Sequence, residues 1–230
     1  DLAERTIQRI TNGMAQIQHI SWSSDGKLLI YGTDNNTIGY NYWPNLHVVS
    51  MDRSVAMDIP GEYIQTWLDS SSFLTSANMA GLSKVDVLTQ SSEIFWSGDF
   101  IDLALDRENN TLALTDIYDD ETEDLLHMSL FLLDLETGEI KTRIEDISDV
   151  VFIGNGENRF LAFETISQES YGGSTSFVET GKVYFVRTDG SVADTEFPIM
   201  SSYIATVSPT KRYIMFDDID TPSGSVSQEF

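Results

Sequence analysis

The stretch Ile20-Ser21-Trp22-Ser23-Ser24-Asp25-Gly26-Lys27-Leu28-Leu29-Ile30-Tyr31 constrains the fold more than any other part of the chain. It reads as a strand, a tight Asp-Gly turn and a second strand, and that form returns four more times along the 230 residues. The bulky residues that end the first strand of each unit are Trp22, Trp67, Leu105, Phe152 and Val207, at intervals of 45, 38, 47 and 55 residues. A polar turn follows each: Ser23 to Gly26, Asp69 to Ser71, Asp106 to Asn110, Gly154 to Asn158, and Ser208 to Lys211. Such residues accept positive φ or bond to their own backbone, as hairpin turns require. The second strand comes next. In Leu28-Leu29-Ile30-Tyr31, Phe160-Leu161-Ala162-Phe163 and Tyr213-Ile214-Met215-Phe216 it is a nearly continuous apolar run, the pattern of a strand covered on both faces. A period of roughly 40 to 50 residues built from short strands specifies a radial β array.

Two further strands complete most units. Met128 to Leu135 turns at Glu136-Thr137-Gly138 and returns through Glu139 to Ile144, and Lys182 to Thr188 turns at Asp189-Gly190 and returns through Ser191 to Phe197. Leu46 to Met51 with Val55 to Ile59, and Ser83 to Leu88 with Glu93 to Trp96, fit the same template. The expected fold is therefore all-β: a β-propeller of four-stranded antiparallel blades forming one domain over 1–230, with complete blades at about 17–59, 62–97, 99–145 and 147–199. A fifth blade is partial, over 202–217, with Gly224 to Phe230 as the start of its third strand and the N-terminal strand 6–11 as a possible outer strand. A composite blade that closes a ring, and a truncated blade of a longer chain, both fit this pattern.

The residues Ile7-Gln8-Arg9-Ile10-Thr11-Asn12-Gly13, followed by the first hairpin, resemble the repeat of TolB-like propellers, also called the PD40 or WD40-like β-propeller repeat. In that repeat a Leu-Thr-x-Gly strand end precedes Trp-Ser-Pro-Asp-Gly-Lys. Ser24 stands here where the repeat has proline, and Ser208-Pro209 restores it in the last unit. The likeness is good over the first unit, fair over the fourth and fifth, and poor over the second. It implies an extracytoplasmic location, periplasmic or at the cell surface. It specifies fold better than function, since propellers of this kind serve as scaffolds, as sensors and as gating domains of serine peptidases.

Composition narrows the partners. With 13 basic against 37 acidic residues the formal net charge is −24, which argues against nucleic acid or an anionic membrane surface. Sixteen of the acids, and only three bases, fall between Asp99 and Asp149. There is no cysteine, so neither a disulfide framework nor thiolate chemistry is available. No apolar run approaches the ~20 residues that span a bilayer.

In a propeller the connections from second to third strand share one face. Here they are Thr33 to Asn45, Ala77 to Leu82, Asp116 to His127, Thr165 to Gly181 and Asp217 to Gly224, and four of these five exceed what a hairpin needs. Two candidate sites fall among them. Tyr40, Tyr42 and Trp43 could form an aromatic platform for a peptide or sugar, or fold back as a cap. Asp116, Asp119, Asp120, Glu121, Glu123 and Asp124 offer oxygen ligands for calcium, without EF-hand spacing. The insertion Gln168 to Ser176 carries no ligand signature. A calcium ion in a central channel would instead draw on inner-strand ends, for which Asp102, Asp149 and Asn12 are candidates.

No Gly-x-Ser-x-Gly elbow, phosphate loop, dinucleotide fingerprint or His-Glu-x-x-His occurs. His19 and His47 read as structural, and His127 follows the acidic run. Trp22 reads as core. The functional expectation is a non-catalytic propeller that binds a protein, peptide or glycan through its long-connection face. The alternatives are an accessory domain of a serine peptidase resembling the prolyl oligopeptidase group, and a calcium-binding propeller.

Overall fold

The computed structural model describes residues 16–34, 45–60, 62–77, 80–120, 125–165, 168–171, 174–177, 180–194, 205–208, 213–216 and 226–229. The N-terminal strand expected at 6–11 lies outside them. Among the described residues every regular element is a strand, and no helix is long and apolar enough to cross a membrane. The chain divides into two compact units, Asp1–Asn78 with Leu82–Ile94, and Met79–Gly81 with Phe95–Phe230.

The first unit holds a four-stranded antiparallel sheet, β1 (Gln16–Trp22), β2 (Leu28–Asp34), β3 (Asn45–Ser50) and β4 (Ala56–Pro60), in chain order. A second sheet follows as β5 (Tyr63–Trp67), β6 (Ser72–Ala77), β7 (Ala80–Asp86) and β8 (Ser91–Asp99), the unit boundary running through its last two strands. The hairpin turn between β1 and β2 explains why its residue types recur. The Ser23 hydroxyl donates to Asp25 Oδ1 at 2.8 Å and accepts the Leu28 amide at 3.0 Å, and Gly26 supplies φ +69°. Asp69 does the same work in the second sheet, accepting the amides of Ser71 and Ser72 at 2.7 and 2.8 Å.

Burial follows strand position. β6 is buried along five consecutive residues, whereas β3 alternates, presenting Leu46, Val48 and Ser50 inward. Leu28, Ile30, Leu46, Val48 and Ile59 meet Trp67, Phe73, Val85 and Val87 in one core. Trp67 stacks edge-on against Phe73 at 5.2 Å and donates its indole N–H to Ser21 Oγ at 3.1 Å. Trp22, at the same point of the motif, is 47% exposed, against the core role its sequence suggests. At this position Trp67 and Phe152 insert toward the sheet that precedes their own. Trp67 meets the first sheet in this way, and among the described residues no sheet precedes β1.

In the second unit, β9 (Asp102–Asp106), β10 (Thr111–Asp120), β11 (Leu125–Asp134) and β12 (Ile140–Glu145) form the third sheet. The fourth joins β13 (Ile147–Asn155) and β14 (Asn158–Thr165) to β17 (Thr180–Val186) and β18 (Val192–Asp194). Between β14 and β17 the chain forms a separate hairpin, β15 (Gln168–Tyr171) with β16 (Ser174–Phe177). The insertion that carries no sequence signature is thus a paired ribbon.

A core of Ala104, Ala113, Leu130 and Leu132 against Val150, Phe160, Ala162 and Val186 joins the third and fourth sheets, with Phe152 edge-on to Phe160 at 5.9 Å. Ile153, Leu161, Phe163 and Val183 fill the other face of the fourth sheet. Last come β19 (Ala205–Val207), β20 (Tyr213–Phe216) and β21 (Val226–Glu229), a three-stranded sheet. One bond of the first turn recurs here: the Tyr213 amide donates to Ser208 Oγ at 3.1 Å as Leu28 does to Ser23.

Candidate functional site

Two polar links cross the seam between the third and fourth sheets, at opposite ends of β9. At one end, Asp106 is fully buried and accepts Nε and Nη2 of Arg159 at 2.6 and 2.8 Å. Arg159 also donates to Glu108 at 2.7 Å and to the Gly156 carbonyl at 3.3 Å, and lies over the Phe152 ring. Burial alone would raise the Asp106 pKa, but the Arg159 hydrogen bonds, the Asn109 amide and the guanidinium charge outweigh it and hold the carboxyl below its usual range. Asn109, Glu157, Arg187, Thr188 and Asp189 surround Arg159 in a cavity of about 360 Å³. Arg187 is already 3.5 Å from Glu157 there.

At the other end, the first residue of β9, Asp102, meets Asp149 of β13. The two strands are edges of separate sheets. The Asp102 amide donates to Thr115 Oγ1 at 3.2 Å, and the Val150 amide to Asp149 Oδ1 at 2.8 Å. Burial pushes the Asp102 carboxyl up to about 7, helped by its hydrogen bond to Asp149 and by the Asp149 charge, while the amides of Leu103 and Val150 oppose the rise. A second carboxylate nearby and a poorly solvated place both disfavour the ionised form of Asp102.

Both ribbons of the unit rise from this end of the seam. β10 pairs with β9 only over Thr111 to Thr115 but continues with β11 to Asp120, so residues 116–120 overhang Asp102. At ~3.3 Å per residue this is a projection of about 17 Å. The β15–β16 hairpin leaves β14 beyond Glu164, which pairs with Ile147 on the same end. The acidic stretch from Asp116 to His127, expected as a loop, is thus strand on both sides of 121–124. Its charge density hides alternation that the cross-strand ladder can still use, with Ile117 opposite Met128 and Asp119 opposite Leu126.

Of the residues expected to bind, Tyr40, Tyr42 and Trp43 lie outside the described residues, as do Glu121, Glu123 and Asp124. Asp119 and Asp120 occupy β10 opposite Leu126 and Leu125. Asp116, opposite Ser129, lies against the bare face of Gly98, where a Cβ would come 2.9 Å from its Oδ2 and 2.9 Å from Trp96 Nε1. Among the described residues no three His, Cys, Asp or Glu side chains converge as a metal site. His47 is structural, bonded to Thr33 at 2.8 Å and Asp58 at 2.6 Å and stacked on Tyr31. His19, at φ +52° in a β1 irregularity, meets the edge of Tyr63. His127 stands opposite Tyr118 on β11.

No protein-family model and no curated protein matches the sequence. Among solved structures, the chain is similar to the acylaminoacyl peptidase of Pyrococcus horikoshii at TM-score 0.61 and 13% identity, over 88% of this chain and 35% of that one. The β-propeller domain of the Trilobed protease from Pyrococcus furiosus gives 0.55 and 14%, over 87% and 64%. An oligogalacturonate lyase from Vibrio parahaemolyticus gives 0.56 and 14%, over 90% and 60%. These likenesses establish the fold as a β-propeller. The chain spans between 35% and 58% of the first two structures it matches.

Proposed function

We propose that the chain is a TolB-like propeller domain that lies outside the cytoplasm and recognises a protein, peptide or glycan without supplying reacting atoms itself. The observation that carries this reading is the pair of ribbons, β10–β11 and β15–β16, that leave one end of the third and fourth sheets, the end at which the Asp102 carboxyl is raised. Extended hairpins on a packed scaffold present backbone and side chains at small ordering cost, and strongly shifted carboxyls concentrate at functional surfaces. The test uses peptide and glycan arrays probed with the whole chain and with a variant whose residues 117–126 are replaced by Asn-Gly. Hits lost on shortening support the reading, and hits that survive it overturn the assignment to this end.

A second reading is favoured by one observation, the likeness to a peptidase of which this chain spans 35%. Here the propeller is the accessory domain of a serine peptidase and screens substrates for a hydrolase domain. It predicts an α/β-hydrolase domain in the same coding sequence, and sequencing the parent gene decides it.

A further inference from the structure

On the reading that the ribbons are a recognition surface, we propose that β10 takes a basic, extended peptide as an added strand along its open edge over residues 117–120. β10 has a strand on each side only from Thr111 to Thr115, where β9 and β11 flank it. From Asp116 to Asp120 the ladder continues with β11 alone, so the other edge carries no strand among the described residues. The register says which groups point outward. Leu135 donates its amide to the Asn110 carbonyl at 3.1 Å across the β10–β11 pair, and Ile101 donates to the Thr115 carbonyl at 2.9 Å on the opposite side. Backbone direction alternates along a strand, so even-numbered residues of β10 bond to β11 and odd-numbered ones face the β9 side. Beyond the end of β9, Ile117 and Asp119 therefore turn N–H and C=O to the open edge.

Charge selects the occupant. Asp116, Asp119 and Asp120 belong to the overhang, and Glu121, Glu123 and Asp124 continue it in the sequence. The three bases between Asp99 and Asp149 stand away from this edge. Arg107 is in the turn at the opposite end of β10, Lys141 is 3.1 Å from Asp134, and Arg143 is on β12, with β11 between it and the edge. Charges on an edge strand normally keep other strands from adding to it. Charge of one sign keeps off only strands of that sign. A second copy of this chain, at a formal net charge of −24, meets repulsion here, whereas a strand bearing Lys or Arg gains opposite-charge cross-strand pairs.

The open stretch is about 13 Å long, room for up to about four backbone hydrogen bonds at Ile117 and Asp119. These bonds fix the occupant as an extended strand, and the acids decide which strands are admitted. β12, the outer strand of the same sheet, carries Lys141 and Arg143 and so gives a basic strand no comparable edge.

The probe is a fluorescein-labelled octapeptide of alternating Lys and Val, titrated against the whole chain by anisotropy. A counterpart with every second residue in the D configuration keeps charge and composition but cannot lie as a pleated strand, and a Glu-Val octapeptide reverses the charge. The all-L basic peptide should bind roughly tenfold more tightly than its D,L counterpart and weaken as salt rises, and the acidic peptide should not bind. In the protein, Ile117→Pro deletes one outward N–H that the β10–β11 ladder does not use, and should weaken the all-L peptide about threefold with an unchanged circular dichroism spectrum. Equal affinity for the two basic peptides overturns strand addition without recourse to any variant, as does unchanged binding by a folded Ile117→Pro chain. Shortening 117–126 separates this from the broader reading. Array hits lost on shortening, with equal affinity for the two basic peptides, overturn the added strand and leave the ribbon as a recognition surface; hits that survive shortening overturn both.

Discussion

Replacing Arg159 by methionine isolates what the ion-paired end of the seam contributes. The change removes two hydrogen bonds to Asp106, one to Glu108 and one to Gly156 O, and leaves a fully buried carboxylate with Asn109 Nδ2 as its remaining side-chain donor at 2.8 Å. Glu108 is 71% exposed at its side chain and returns to water at little cost. The loss is therefore concentrated in Asp106. Orphaning a buried partner costs about 3–5 kcal/mol, and for a chain of this size that lowers Tm by roughly 6–20 °C. The Asp106→Leu/Arg159→Met double variant removes both charges and should recover most of the loss, with a coupling energy above about 2 kcal/mol in the cycle. Urea unfolding followed by circular dichroism measures all four corners. In the native protein the depressed Asp106 value means that the pair contributes above the unfolded carboxylate range and fades only as acid approaches the folded value. A single variant that loses under about 1 kcal/mol, or a double variant worse than the single, refutes the argument that a buried charge dominates this end.

Three further outcomes test the packing scheme. Trp67→Ala should cost about 3–5 kcal/mol because it empties a closed core, whereas Trp22→Ala should cost under about 1 kcal/mol. Comparable losses in thermal unfolding would show that the two positions share one environment. Gly98→Ala places a methyl 2.9 Å from both Asp116 Oδ2 and Trp96 Nε1 and should cost about 1–3 kcal/mol; an unchanged denaturant midpoint rejects the close approach. Ser23→Ala leaves the Leu28 amide without its acceptor and should cost about 1–2 kcal/mol, as should Ser208→Ala at the Tyr213 amide. Substitution by threonine should restore part of each.

Local chemistry was legible wherever a short segment carries its own reason. Ser23, Asp25 and Gly26 make a turn whose serine-to-amide bond Ser208 repeats, because side-chain bonds to a backbone a few residues away require no knowledge of the rest of the fold. The apolar runs at Leu28 and Phe160 likewise announced strands buried on two faces, and Leu28 to Ile30 and Phe160 to Phe163 are buried, whereas Tyr213, on a strand that also pairs with two neighbours, is exposed. The acidic run after Asp116 misled, since a charged strand resembles a loop until its cross-strand partners are known, and the partners of 116–120 lie on β11.

The sequence by itself determined the unit, an antiparallel hairpin with a defined turn and two more strands, since strand periodicity and turn geometry are properties of neighbouring residues. Tertiary structure decided what neighbours in the chain cannot encode. It buried Trp67 and exposed Trp22 at the same motif position, because burial depends on whether another sheet is there to receive the side chain. It brought Asp149 near Asp102, 47 positions apart in the sequence, and paired Asp106 with Arg159, 53 apart, setting a raised carboxyl and a buried ion pair at the two ends of one strand. The pKa of a carboxyl is set by the charges and solvent within a few ångströms of it, and only the packed sheets say what those are.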